Sequence, residues 1–311
     1  MTGSAVAVHG GRFGELMMRG LQSALPEVDL VPAGTPKAAA EADVLVTLAD
    51  DAPVIADALS DGIDWVHILG AGVDGFPIGV VGDRTLTCSR GAGAPAIAEF
   101  VLAVMLAFEK HLPESWVTEP PAQWNNAALG GLEGRTLGIV GLGAIGTEVA
   151  RRGMAFDMHV VGIRRRMRPS PVPGVTICSD LPSLLRSSDH VVVAAPATDA
   201  TSRLIDDSAL RHMKSGAHLV NVSRGSLVDQ DALLRALDDG RLGRASLDVV
   251  EPEPLPGGHP LYRHPSVRLS PHISWSSPRT VHRTLELFVD NLARYRSGRE
   301  LQGLVDTKEG Y

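Results

Sequence analysis

Residues 136–166 read TLGIVGLGAIGTEVARRGMAFDMHVVGIRRR. The apolar run Thr136–Val140, preceded by Gly134 and Arg135, has the length of a buried strand. Gly141-Leu142-Gly143-Ala144-Ile145-Gly146 follows directly, and over 147–156 the apolar Val149, Ala150 and Met154 recur among charged neighbours at helical spacing. A second strand is expected at 158–163. Strand, glycine turn, helix and strand together form a dinucleotide-binding unit, because a pyrophosphate must lie against the unpaired N–H groups at a helix start. Gly141 allows the tight turn, Gly143 has no Cβ to hold phosphates away, and Gly146 lets helix and strand close on each other.

The end of the second strand bears on which dinucleotide fits. An acidic residue about 20 positions beyond the glycines normally reads the adenosine ribose hydroxyls. Here Ile163 is followed by Arg164, Arg165, Arg166 and Arg168, with no carboxylate among them. Arg164 and Arg165 are expected to meet a 2′-phosphate, which favours NADPH over NADH; the plainer alternative is a solvated basic turn.

Working outward, the 311 residues exceed the about 250–300 that one hydrophobic core organises, so two domains are expected. A hydrophobic content of 44% with 21% charged residues is that of a globular protein, and a net charge of -7 argues against nucleic acid or an anionic membrane as partner. The longest purely apolar run, 100–108, is too short to span a bilayer, and the first residues lack a basic start and an apolar signal core, so a cytoplasmic protein is expected. Cys88 and Cys178 show neither metal spacing nor a CxxC pattern, and no metal site is expected.

The first part of the chain alternates strands (5–8, 28–31, 44–47, 65–68) with helices (13–25, 53–59), an α/β pattern. Its loops at 9–12, 48–51 and 70–74 follow strands, where ligands of such sheets bind. In the last, glycines flanking Ala71 could present N–H groups as an anion nest for a carboxylate, or form an ordinary tight turn. Residues 94–111 form a helix apolar almost all round, suited to burial between domains or subunits. The irregular arm 112–134 holds Trp116 and Trp124, read as packing anchors, and arm and helix are expected to make a homodimer contact. After 163 the alternation continues, and a final helix at 278–297 is expected to return to the first domain. The fold expected is α/β, two Rossmann-like doubly wound parallel-sheet domains with a cleft between them: 1–93 plus 279–311, and 94–278.

Three strand-end segments of the second half carry groups able to do chemistry. Arg224 offers a planar fork for a carboxylate, Glu251 and Glu253 sit in a proline-stiffened loop, and His272 offers an imidazole. Each has a structural reading when taken singly. Together, beside a dinucleotide turn, they supply what hydride transfer at a carbonyl next to a carboxylate needs.

These segments also carry a resemblance. GLGAIG (141–146), NVSRGSLVDQDALLRAL (221–237), LDVVEPEPLP (247–256) and SPHIS (270–274) stand in the order and spacing of the D-isomer-specific 2-hydroxyacid dehydrogenases, and GAGVD (70–74) and AIAE (96–99) look like that family too. The resemblance covers nearly the whole chain. It implies Arg224, Glu253 and His272 as catalytic residues, Glu253 rather than Glu251 being the glutamate, with His272 the proton donor to a developing alkoxide. It implies a cofactor-binding set of Gly141, Gly143, Ala144, Ile145, Gly146, Arg164, Arg165, Pro196, Thr201, Val222 and Asp248, the last at the nicotinamide carboxamide. The substrate-binding set is Ala71, Gly72, Arg224 and Trp275. Arg164 stands where a ribose-reading aspartate is common, so NADP is the cofactor expected, with NAD possible. Asp157 stands where glycine is usual, and Trp275 resembles the glyoxylate and hydroxypyruvate reductase branch. The activity implied is reduction of a small 2-keto acid. A dinucleotide-sensing binding protein, like the co-repressors that share this fold, is the competing reading; it would bind cofactor and turn over little.

Overall fold

The computed structural model describes residues 5–11, 14–48, 52–166, 168–307 and 310. Arg12 and residues 49–51, which belong to two of the strand-end loops singled out above, lie outside these. The chain divides into two compact units, one of Met1–Gly93 with Ser277–Tyr311 and one of Ala94–Ser276.

The first unit contains β1 (Ala5–His9), α1 (Gly14–Ala24), β2 (Leu30–Pro32), α2 (Pro36–Glu41), β3 (Ala42–Thr47), α3 (Ala52–Ala58), β4 (Trp65–Ile68), α4 (Ile78–Val81) and β5 (Thr85–Cys88). All its strand pairs are parallel, in the order β2-β1-β3-β4-β5. Strand β5 is absent from the sequence reading, which found nothing in the short run TLTC. Its outer edge is covered late in the chain: Cys88 N–H donates to the Gly303 carbonyl at 3.0 Å and Val305 N–H to that of Leu86 at 3.0 Å. The second unit opens with α5 (Ala94–Glu109), β6 (Thr136–Val140), α6 (Ala144–Ala155), β7 (His159–Ile163) and β8 (Thr176–Ile177). It continues through α7 (Leu181–Ser187), β9 (His190–Val193), α8 (Asp207–His212), β10 (Ala217–Asn221), α9 (Gln230–Asp238), β11 (Leu242–Leu247) and β12 (Val267–Leu269). The last helix, α10 (Pro278–Arg296), belongs to the first unit: its Phe288 stacks on Trp65 of β4 with ring centroids 5.5 Å apart, and both are fully buried.

The sheet of the second unit is parallel throughout, ordered β12-β11-β10-β9-β6-β7-β8. The chain starts in the middle with β6, winds out to β8, then returns to β9 and winds the other way. The point of reversal is therefore between β6 and β9, and at such a point the connections diverge and leave a crevice at the carboxyl ends of the strands. Two layers of side chains flank this sheet. Helix α5 packs Ile97, Ala98, Val101, Leu102 and Met105 against Leu137, Ile139 and Val149, while Leu184, Leu185, Leu210, Leu233 and Leu237 fill the other face.

Most helices of the unit start on a polar side chain. Asp180 accepts from Ser183 N–H at 2.7 Å, Asp206 from Ala209 N–H at 2.8 Å and Asp229 from Ala232 N–H at 2.9 Å, caps each worth about 1 kcal/mol. Helix α6 does not. Its N-cap is Gly143, with no side chain bonded to its first turn.

Candidate active site

The glycine turn lies at the point of reversal. Gly141 directly follows β6 with φ 102°, and a Cβ there would lie 2.6 Å from the Ala195 nitrogen beyond β9, so this position admits only glycine. A Cβ at Gly146 would overlap the Gly141 carbonyl oxygen, which is how α6 comes so close to β6. At Gly143 a Cβ would meet nothing within 4 Å. That open space, before an uncapped helix start, fits a pyrophosphate resting on the first-turn N–H groups that Ala144 and Ile145 help to present. Because no side chain competes for these donors, the residues present fit a dinucleotide.

The other positions expected to hold cofactor follow neighbouring strands of the same sheet. In the loop after β9, Thr201 Oγ donates to the Pro196 carbonyl at 2.7 Å and accepts from Thr198 N–H at 2.8 Å, so the two positions are tied to each other. Ser223 Oγ donates to the Ala195 carbonyl, and Val222, 4% exposed, continues β10 with its N–H on the Val193 carbonyl. Arg164 follows β7, is half-buried, and donates one Nη1 bond to the Pro169 carbonyl at 2.8 Å; Arg165 is exposed beside it.

Arg224, Glu253 and His272 come from loops after β10, β11 and β12, three strands adjacent in the sheet, and so stand at one edge. Of the two glutamates it is Glu253 that reaches the imidazole: its Oε2 is 2.9 Å from His272 Nδ1, while its Oε1 accepts from Val250 N–H at 3.2 Å. With Nδ1 directed at a carboxylate, Nε2 is the ring nitrogen left for another group. Half-buried Arg224 donates to the Ser223 carbonyl at 2.7 Å, and its own carbonyl accepts from Asn221 Nδ2 at 2.9 Å. The next residue, Gly225, is pressed against the Val250–Glu251 peptide, where a Cβ would overlap the Val250 carbonyl. The arginine loop and the glutamate loop are thus in direct backbone contact.

His272 has φ 56°, in the left-handed region that costs a non-glycine residue about 1–3 kcal/mol. What holds it there is Asp248. The Asp248 carbonyl accepts from His272 N–H at 2.8 Å, and its carboxylate accepts from Ser270 Oγ at 2.5 Å, Ile273 N–H at 2.9 Å and Ser274 N–H at 2.8 Å. Asp248 is 2% exposed, so the group expected at the carboxamide spends its carboxylate on the histidine loop. Trp275 closes the loop from the other side, its indole N–H donating to the His272 carbonyl at 2.9 Å. Sequence reasoning assigned Ser270 no role, because its partner lies 22 residues away.

Ala71 and Gly72 belong to the other unit, in the loop after β4. The glycine with positive φ in that segment is Gly75, at 78°, and not Gly70 or Gly72. Of the two readings of this turn, an anion nest or an ordinary tight turn, a nest at Ala71 would have no left-handed glycine beside it, and Ser89 N–H ties the loop through the Gly70 carbonyl at 2.9 Å. A correction concerns the arm. Trp116 and Trp124 are 71% and 78% exposed and are not packing anchors within this chain. Among the described residues, no cluster of His, Cys, Asp and Glu could hold a metal ion, and no helix is long and apolar enough to cross a membrane.

Comparison with known proteins follows the same outline. The model of the family described as D-isomer specific 2-hydroxyacid dehydrogenase, NAD binding domain, matches residues 102–274. A glyoxylate reductase of Thermofilum pendens is 37% identical over 229 residues, covering 71% of this chain and 68% of that protein. A hydroxypyruvate reductase of Thermotoga maritima is 32% identical over 220 residues, 69% of this chain and 71% of its own. Among solved structures, a D-isomer specific 2-hydroxyacid dehydrogenase of Xanthobacter autotrophicus, in complex with NADPH and MES, superposes with a TM-score of 0.86 at 28% identity, over 99% of each chain.

Proposed function

Because the chain belongs to the D-isomer specific 2-hydroxyacid dehydrogenase family, we propose that it is an NAD(P)H-dependent reductase of small 2-keto acids such as glyoxylate or hydroxypyruvate, with NADPH preferred. The observation that carries this reading is the 2.9 Å pair of Glu253 and His272 at the carboxyl end of the sheet that also bears Gly141–Gly146. Bound NADPH would supply the hydride for the carbonyl carbon. His272 donates the proton to the developing alkoxide from Nε2, a step worth about 10²–10⁴-fold. Glu253 holds the ring by Nδ1 and so leaves Nε2 turned to the substrate. Arg224 grips the substrate carboxylate with its fork, and Trp275 walls the keto acid.

The NADPH preference is supported by the absence of a carboxylate after β7 and by the two arginines there. We assign dinucleotide binding to the unit Ala94–Ser276 and give Ala71 and Gly72 of the other unit a part in substrate binding. The chain acts as a homodimer through the arm, a reading supported by the exposure of Trp116, Val117, Trp124 and Leu129. Its place is the cytoplasm, in keeping with two free cysteines, Cys88 and Cys178.

The test is loss of nicotinamide absorbance with purified protein, NADPH and NADH in parallel, across glyoxylate, hydroxypyruvate, pyruvate, 2-ketoisocaproate and phenylpyruvate. Turnover of the small acids with NADPH ahead is expected, and Arg164→Ala should lower the NADPH-to-NADH ratio about tenfold, the worth of one charge-assisted hydrogen bond. Dinucleotide binding without turnover of any acid would replace the reductase with a sensor.

A further inference from the structure

Glu253 meets His272 only if the loop that carries it keeps its course, and the structure contains a side chain dedicated to that loop. Gln230 is the first residue of α9, 21 positions before Glu251. Its amide spans the Glu251 backbone: Nε2 donates to the Glu251 carbonyl at 2.5 Å, and Oε1 accepts from Glu251 N–H at 3.2 Å. A primary amide can satisfy a peptide N–H and C=O of one residue together because it is neutral and carries both a donor and an acceptor. The preceding residue is held as well. Val250 has its carbonyl pressed on Gly225, and its N–H donates to Glu253 Oε1, which leaves Oε2 to His272. With Asp229 capping the same helix through Ala232 N–H, the amide sits on a rigid base.

We infer that Gln230 is a positioning residue for the reaction: by clamping the Glu251 backbone it keeps Glu253 aimed at His272 Nδ1. Gln230 touches neither substrate nor cofactor in this role and acts entirely through Glu253. The inference rests on Glu253 and His272 being the catalytic pair proposed above.

The test is a double-mutant cycle in the full-length protein, read by steady-state kinetics with NADPH and the best keto acid of the panel. Gln230→Met keeps the length of the side chain and removes both hydrogen bonds; Gln230→Ala is the second variant should the first not fold. Either should lower kcat on the order of tenfold, as a small misplacement of a catalytic group does, with KM for NADPH unchanged. Placed on Glu253→Gln, the same substitution should cost nothing more, because the group it positions is already lost. An unchanged kcat, or a loss that simply multiplies with that of Glu253→Gln, overturns the inference. His272→Asn separates the two failures. A wild-type kcat in that variant removes the catalytic pair itself, whereas loss there with a normal kcat in the Gln230 variants removes only the clamp.

Discussion

At the carboxyl end of the seven-stranded sheet His272 meets Glu253 at 2.9 Å, and near the amino end His190 meets Glu109 at 3.0 Å. The two pairs have the same chemistry and opposite surroundings. His272 and Glu253 are each 38% exposed, on loops beyond their strands. His190 and Glu109 are 0% and 7% exposed, and every polar atom of the imidazole is engaged: Nε2 on Glu109, Nδ1 on His218 Nδ1 at 3.3 Å, and His218 in turn on Ser246 Oγ at 2.9 Å. Phe108 stacks on His218 at 4.7 Å and seals the chain. Burial pushes His190 down to about 4 and His218 down as well, so both imidazoles are held neutral, and burial raises Glu109. A recess of about 270 Å³ opens beside it, lined by Glu109, Arg135, Asp189 and Lys214. Asp189 already binds Lys214 at 2.9 Å and Thr136 N–H at 2.8 Å there. A histidine and a carboxylate can thus serve chemistry only where a ring nitrogen is left open to a ligand; where every valence is closed they are part of the core.

The contrast can be broken most sharply at His272. His272→Asn should lower kcat by about 10²–10⁴-fold, with the urea midpoint unchanged. A variant that keeps its kcat would mean that the open pair is as structural as the closed one. Arg224→Ala should raise KM for the keto acid by about 10- to 100-fold, the worth of a charge-assisted pair of hydrogen bonds, and lower kcat as well. At the closed end the effects should fall on stability alone. His190→Ala leaves Glu109 and His218 each short of a buried partner, at a cost of about 1–3 kcal/mol by urea unfolding at pH 7, while kcat stays near wild type.

The closed end also sets a pH dependence. Above the usual imidazole value of 6.5, His190 is neutral in both the folded and the unfolded chain, and its contribution is flat. Between 6.5 and about 4 the unfolded chain takes up the proton and the folded chain does not, so stability falls as the pH falls, by about 3 kcal/mol in all. The His190→Ala variant should lose this part of the acid slope. A slope unchanged by the substitution would mean that the imidazole is charged in the folded state.

The glycine turn was legible because its pattern is local: a strand, three glycines and a helix lie within twenty residues, although the neighbour that excludes a Cβ at Gly141 is Ala195, beyond β9. The helix start was misread at 147 rather than Ala144 for a related reason. A start is normally announced by a polar cap, and here the cap is Gly143 with its donors left open, so the site itself erased the signal. Strand β5 escaped notice because four residues carry too little alternation to stand out. At Ala71 glycine content left an anion nest and an ordinary tight turn as alternatives, because content does not fix φ.

The order of the motifs, the α/β class, the glycine turn and the arginines after β7 were determined by the sequence alone, since periodicity and short-range spacing carry them, whereas Arg224, Glu253 and His272 were marked as a catalytic set by the family resemblance of their segments. Pairing across distant segments was decided only by the tertiary structure: Asp248 with Ser270, Ile273 and Ser274, Gln230 with Glu251, and His190 with Glu109 and with His218. Those partners lie 21 to 81 residues apart. Hydrogen bonds act over about 3 Å, so what brings such groups together is the parallel winding of the sheet, which sets segments remote in sequence side by side at the two ends of its strands.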